Sequence, residues 1–254
     1  MAEKRVAVFT GSRSEYGLLS PVIRAIAGDS SLRTYVIISG AHLSSDYGYS
    51  VNEIDVTGID KIFRIPLETE LHDEKMQTVA SFSRLIEKSS IVLDETKPDM
   101  IVIAGDRSEA FAIAVTAFYL NIPIAHIFGG DVSQGGHLDD SSRHSITKLS
   151  HIHFTTNEDS YKRVLRLGEE PWRVFNVGSP VVDNVIAGNF AKREEVATEL
   201  NLDLNRPIII FTQHPLTTES GLSYDQAKQS MEALKEINEQ TVITYPCNDA
   251  GSMG

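Results

Sequence analysis

The feature that most constrains this chain is the repetition of short runs rich in Val and Ile, separated by longer segments of helical period. The runs are RVAVFT (5–10), TYVIIS (34–39), KIFRI (61–65), MIVIAG (100–105), IPIAHIF (122–128), HIHFTT (151–156) and WRVFNV (172–177). Apolar residues stand at successive rather than alternate positions in them, which suits strands covered on both faces. Strands of that kind, alternating with helices, predict a parallel sheet wound by crossover helices. The segment 73–97 puts Val79, Phe82, Ile86 and Leu93 on one helical stripe. Lys97-Pro98 ends it, because the residue before proline avoids helical geometry.

After GSP (178–180) the pattern pauses and restarts. RPIIIFTQHP reads as a strand, 224–239 as a helix and TVITYP as another strand. Two strands and one helix make a poor core on their own. The expected organisation is therefore one α/β domain over 1–178, with 179–254 as the opening of a second α/β domain whose remainder is missing.

Composition narrows the ligand. The 254 residues carry 23 Lys plus Arg against 35 Asp plus Glu, a net charge of −12. An acidic surface repels nucleic acid and anionic membranes, so any anionic ligand must be met by a local cluster of cations. A single cysteine, Cys247, leaves neither a disulfide framework nor a multi-cysteine zinc site within one chain. The first apolar run is too short for a signal-peptide core, and no later run approaches a membrane span, so the cytoplasm is the expected compartment.

In an open parallel sheet, ligands bind beyond the carboxyl ends of the strands. The residues that follow these strands are GSRSEYG (11–17), GAHLSSDYG (40–48), GDRSE (105–109), GGDVSQGGHLDDSSRH (129–144), GSP, QHP (213–215) and PCNDAGS (246–252). Glycines, cations and carboxylates recur at one edge. GSRSEYG fits either a strand-to-helix turn capped by Ser14 or an anion site in which Arg13 joins free helix N–H groups. In GDRSE, Asp106 is either a helix cap or a carboxylate poised for proton transfer beside the cation Arg107. Asp139 and Arg143, and Asp140 and His144, stand four apart and fit ordinary helical ion pairs. The GGDVSQGG stretch before them has little propensity for regular structure, which suits a flexible segment that wraps a ligand. His151 and His153 share a strand face but lack a third ligand, so they read as packing residues and no metal is assigned.

GSRSEYGLL, GAHLSSDYGYS, AGDRSEAFA, AHIFGGDVS, DDSSRHSITKLSH, GSPVVD, QHPLTTE and YPCNDAGS, in this order, resemble the hydrolysing UDP-N-acetylglucosamine 2-epimerases. These enzymes supply N-acetylmannosamine for sialic-acid-type sugars, with a 2,4-diacetamido-6-deoxy relative as the sugar in legionaminic acid routes. The resemblance implies two Rossmann-like domains of the glycosyltransferase-B kind with the active site between them. It implies elimination of UDP to a glycal, then hydration with reprotonation at carbon 2, a glycosyl-hydrolase-type activity without cofactor. Asp106, Asp131, Asp139 and His214 are the implied catalytic residues. Arg13, Gly17, His42, Arg107, Arg143, His144, Gly178, Ser179 and Cys247 are the implied substrate contacts. The implied partner is a UDP-sugar, with homo-oligomerisation left open.

Three departures stand out. Phe128 occupies the place of a glutamate in many relatives, and Asp131 is the candidate substitute. The loop at 134–138 is slightly longer than usual. Cys247 replaces a common asparagine, and the chain ends before the family's uridine-binding serines and glutamate. Two alternatives stay open, a non-hydrolysing 2-epimerase and an inactive nucleotide-sugar-binding fragment.

Overall fold

The structure, a computed structural model, describes residues 3–67, 74–133, 138–188 and 190–246. It divides into two compact units, Met1–Ala187 and Gly188–Gly254. The expected boundary at 178/179 lies one short helix earlier.

The first unit holds seven parallel strands: β1 (Lys4–Thr10), β2 (Leu32–Ile38), β3 (Lys61–Arg64), β4 (Met100–Ala104), β5 (Ile124–Ile127), β6 (Ile152–Thr155) and β7 (Val174–Asn176). Their order is β3-β2-β1-β4-β5-β6-β7. The chain winds outward from β1 to β3, then crosses back to β4 and winds the other way. The switch point of this α/β sheet therefore lies between β1 and β4, where Val6 pairs with Met100 and Val8 with Val102.

Both faces are buried, as the continuous apolar runs require. In β1, Phe9 faces Ile37, Ile101 and Ile103, packed beneath α2 (Glu74–Thr96), α3 (Ser108–Tyr119) and α4 (Leu138–Leu149). Val8 points the other way, to Val36, Val102 and the side chains Leu19 and Ile23 of α1 (Arg13–Ala27). Each fully buried side chain of this size contributes roughly 1.5–3 kcal/mol of transfer free energy.

One local expectation is corrected, while α2 ends at Lys97-Pro98 as expected. On α2 the buried row is Leu85, Ser89 and Leu93, one turn apart, and the Ser89 hydroxyl donates to Thr116 of α3 at 3.1 Å. Val79 is 63% exposed, while Phe82 and Ile86 are only partly buried. Apolar character alone does not mark this face, because the small hydroxyl of Ser89 occupies its middle. The helix ends at Lys97 in left-handed geometry (φ 44°), its amide bonded to the Leu93 carbonyl at 2.9 Å, so a left-handed cap precedes Pro98.

α5 (Glu158–Arg166) lies between β6 and β7, and α6 (Val181–Ile186) follows β7. Asn184 of α6 ties to α1 through the Arg24 guanidinium (2.6 Å) and the Gly17 carbonyl (3.1 Å). The second unit contains α7 (Arg193–Glu199), β8 (Ile208–Phe211), α8 (Ser223–Ile237) and β9 (Gln240–Ile243). β8 and β9 pair in parallel, from Ile208 opposite Gln240 to Phe211 opposite Ile243. Among its described residues only Ala197 is fully buried, whereas Ile210 is 76% exposed. No described helix is long and apolar enough to cross a membrane.

Candidate active site

The carboxyl ends of β1, β2 and β4 meet at the switch point, and backbone touches backbone there. Gly40 adopts φ +57°, and a Cβ on it would lie 2.7 Å from the Gly11 carbonyl and 3.0 Å from Glu109 Oε1. Only glycine fits. Ser12 caps α1, accepting from the Glu15 amide at 3.4 Å, so the cap expected at Ser14 sits two residues earlier. Arg13 opens the helix and projects outward, 75% exposed, pairing with Glu53 at 2.8 Å. Gly17 lies one turn further along α1, on its exposed side.

His42 follows β2 and is 1% exposed. Its Nε2 meets the Thr10 hydroxyl at 3.0 Å and its Nδ1 the Ser50 hydroxyl at 2.9 Å. Burial lowers its pKa to about 4, keeping it neutral. The structure places His42, an expected substrate contact, inside the fold rather than on an open surface. With both ring nitrogens spent internally, it props the turn after β1.

Asp106 follows β4 and does not cap α3; Arg107 holds that position without a side-chain cap bond. The Asp106 carboxylate instead binds the Arg143 guanidinium, which is 7% exposed. Arg143 also donates to Asp140 Oδ1 at 2.6 Å and to the Asp131 carbonyl at 2.8 Å. One buried cation on α4 thus gathers Asp106 from the β4 end and Asp131 from the β5 end. Burial is the main cause lowering its pKa, with the like charge of Arg163 adding to it.

Behind Asp106, His126 of β5 is fully buried, its Nε2 donating to the Gly105 carbonyl at 2.8 Å. Its Nδ1 meets the Thr147 hydroxyl at 3.2 Å, and burial lowers its pKa to about 4. A neutral ring with a fixed tautomer therefore holds the backbone that aims Asp106.

The start of the loop after β5 is clamped, contrary to the expected flexible segment. Asp131 Oδ1 accepts from the hydroxyls of Thr156 (2.9 Å) and Ser160. Arg163 donates to the Gly130 carbonyl, and the Ser133 amide donates to Asp140 at 2.8 Å. Gly130 adopts φ +83° hard against the Ser160 carbonyl, leaving no room for a Cβ. Phe128 is left-handed too (φ 69°), a strained conformation for an aromatic residue, and packs in the core near Phe154. Residues 134–137 of this loop lie outside the described residues.

The remaining candidates divide. Asp139 is half-buried in the first turn of α4, beside Asp140. His144 is adjacent to Arg143 but turned into a groove between α3 and α4, with Phe111, Val115, Phe118 and Lys148. Helical rotation thus turns it into this groove, and burial lowers its pKa against the raising effect of the Asp140 charge. The expected pairing of Asp140 with His144 is replaced by Asp140 with Arg143. Gly178, at φ +83°, and Ser179 follow β7 in the first unit. His214 is exposed beyond β8 in the second unit, and Cys247 lies outside the described residues. His153 is buried near Glu169 (3.3 Å), within a cluster that Lys148 (2.5 Å) and Arg173 complete, so it serves packing and charge balance.

Cations, helix starts and carboxylates gather here beyond the carboxyl ends of a parallel sheet, the edge at which open α/β sheets meet their ligands. The chain belongs to the UDP-N-acetylglucosamine 2-epimerase family, whose model matches residues 24–253. It is 32% identical over 251 residues to a GDP/UDP-N,N'-diacetylbacillosamine 2-epimerase (hydrolyzing) of Campylobacter jejuni, covering 98% of this chain and 64% of the relative. It is 34% identical over 250 residues to a UDP-N-acetylglucosamine 2-epimerase of Neisseria meningitidis, covering 98% and 64%. A solved structure of the Neisseria meningitidis UDP-GlcNAc 2-epimerase bound to UDP-GlcNAc superposes with a TM-score of 0.77 at 22% identity, covering 98% of this chain and 67% of that one. That likeness shows the fold, an α/β chain of the glycosyltransferase-B-like kind expected from the sequence. The chain spans about 64% of the length of the curated relatives it matches.

Proposed function

We propose that the chain belongs to a hydrolysing UDP-sugar 2-epimerase and carries its carboxylate wall. The observation behind this reading is the Arg143 bridge, which brings Asp106 and the Asp131 backbone together beyond β4 and β5. In this reading one carboxylate among Asp106, Asp131 and Asp139 removes the proton at carbon 2 as the bond between carbon 1 and UDP oxygen breaks. The electron pair becomes the glycal double bond, and Arg107 and Arg13 receive the charge on the departing diphosphate. Water then adds at carbon 1, losing one proton to a carboxylate of the site, while a carboxylic acid on the other face returns a proton to carbon 2. His214 is taken to serve the diphosphate or the leaving oxygen, and Gly17, Gly178, Ser179 and Cys247 are substrate contacts. The substrate is UDP-N-acetylglucosamine or a UDP-diacetamido sugar. The names of the Campylobacter jejuni and Legionella pneumophila relatives favour the latter.

The test is mass analysis of products from both UDP-sugars in deuterated water. Free N-acetylmannosamine-type sugar carrying one deuterium at carbon 2, with UDP, is the expected result. A UDP-linked epimer would make the enzyme non-hydrolysing. UDP binding without sugar release would make the chain a binding fragment.

A further inference from the structure

Glu15 has no place in the reading above. It sits one turn into α1, directly beneath the switch point, and is 6% exposed. Its Oε2 accepts from the Gly11 amide, while Oε1 is buried with no hydrogen-bond partner among the described residues. The groups facing it are few. From the β4–α3 turn come Arg107 and Glu109, which pair with each other at 3.6 Å and both act electrostatically on Glu15. From the turn after β2 comes neutral His42, beyond the Thr10 hydroxyl. On α1 itself Arg13 is paired outward with Glu53, and the Tyr16 hydroxyl accepts from the Asp55 amide at 2.8 Å. β1 contributes no charged group on this side. A carboxyl is thus enclosed with a second carboxyl and one shared cation, where the backbones of Gly11 and Gly40 touch.

We propose that Glu15 is a positioning residue that sets how much charge Arg107 presents to an anion in the β1/β4 crevice. With the carboxyl neutral, the guanidinium belongs to the anion; with it ionised, part of that charge is drawn inward. Burial raises the Glu15 pKa to about 7, against the lowering effect of the Gly11 amide and Arg107, so the exchange falls in the neutral range. The inference rests on the nucleotide-sugar reading only in taking Arg107 as the anion contact.

The sign follows from linkage. An anion bound at Arg107 favours neutral Glu15, so binding takes up a proton and affinity falls as pH rises. A shift of one pKa unit on binding corresponds to a tenfold change. UDP affinity of the wild type, relative to Glu15→Gln at the same pH, should fall about three- to tenfold between pH 6 and pH 8. Taking the ratio cancels the titration of UDP itself. A ratio constant with pH overturns the proposal.

A second measurement stands without UDP and without the Gln variant. The Glu15 carboxyl carbon, followed by NMR in the wild-type chain, should titrate well above the ordinary carboxylate range, and Arg107→Ala should raise its midpoint further. A midpoint near 4.5, or one that Arg107→Ala leaves unmoved, overturns the proposal. Absence of UDP binding at every pH counts against the nucleotide-sugar reading, and the carboxyl titration alone then decides the role of Glu15.

Discussion

Replacing Arg143 by methionine tests the centre of the site most directly. The guanidinium is 7% exposed, and the Asp106 and Asp140 side chains it binds are 23% and 22% exposed. Methionine fills most of the same volume, so the change removes charge and hydrogen bonds rather than packing. Two largely buried carboxylates and the Asp131 carbonyl then lose their common donor. Breaking a buried ion pair from one side costs about 3–5 kcal/mol. The partial exposure of both carboxylates places this case at the lower end, about 3 kcal/mol.

For a unit of this size each kcal/mol lowers Tm by about 2–4 °C, so a drop of about 6–12 °C is expected. Near-UV circular dichroism of the first unit reads it. Arg143→Lys should fall between, because one ammonium cannot form the planar fork that serves three acceptors. Adding Asp106→Asn and Asp140→Asn to Arg143→Met should recover part of the loss by removing the stranded charges. A drop under 2 °C for Arg143→Met, or no recovery in the triple variant, would refute the claim that this network is buried and mutually dependent.

Asp106→Asn should keep UDP affinity within about threefold while turnover falls by about 10²–10⁴, the usual contribution of a general acid or base; near-normal turnover by coupled UDP release removes Asp106 from the chemistry. Stability should rise from pH 4 to pH 6.5, because His42 and His126 have folded pKa values of about 4, below the unfolded 6.5. Each contributes stability above pH 6.5 that is lost as pH falls toward 4. Urea titrations of His126→Gln should show a shallower acid slope, by about one proton near pH 5. Amides of β8 and β9 should exchange far faster than those of β1 and β4, since the second unit buries only Ala197 among its described residues; equal protection by hydrogen exchange mass spectrometry would contradict this.

The parallel sheet was legible because both faces are covered. Ala7 and Phe9 serve one core and Val6 and Val8 the other, so β1 reads as an unbroken apolar run whichever face is considered. The α2 stripe was misread at Val79 because helical period gives a face only up to rotation. The hydroxyl of Ser89, bonded to Thr116, marks the packed side without any apolar signal. α6 and α7 are short: α6 exposes Val181, Val182, Val185 and Ile186 without a recognisable burial pattern, and α7 buries only Ala197.

The site was legible in its parts but not in its connections. Strand ends supply Asp106, Arg107 and Asp131 by rule, since ligands meet a parallel sheet at its carboxyl edge. Which charge faces which depends on distances across 37 residues in the case of Asp106 and Arg143, and no spacing along the chain encodes that. Adjacency along the chain also misleads. Arg143 and His144 are neighbours in the chain, yet about 100° of helical rotation sends the first to the carboxylates and the second into the α3/α4 groove. Glu15 is the extreme case. In GSRSEYG it is an ordinary helical glutamate, and only the convergence of three strand ends encloses it. The residues that hold a site together (Glu15, His126, Thr156, Ser160, Arg163) are recognised by what surrounds them, whereas the residues that reach a ligand are recognised by where their strands end.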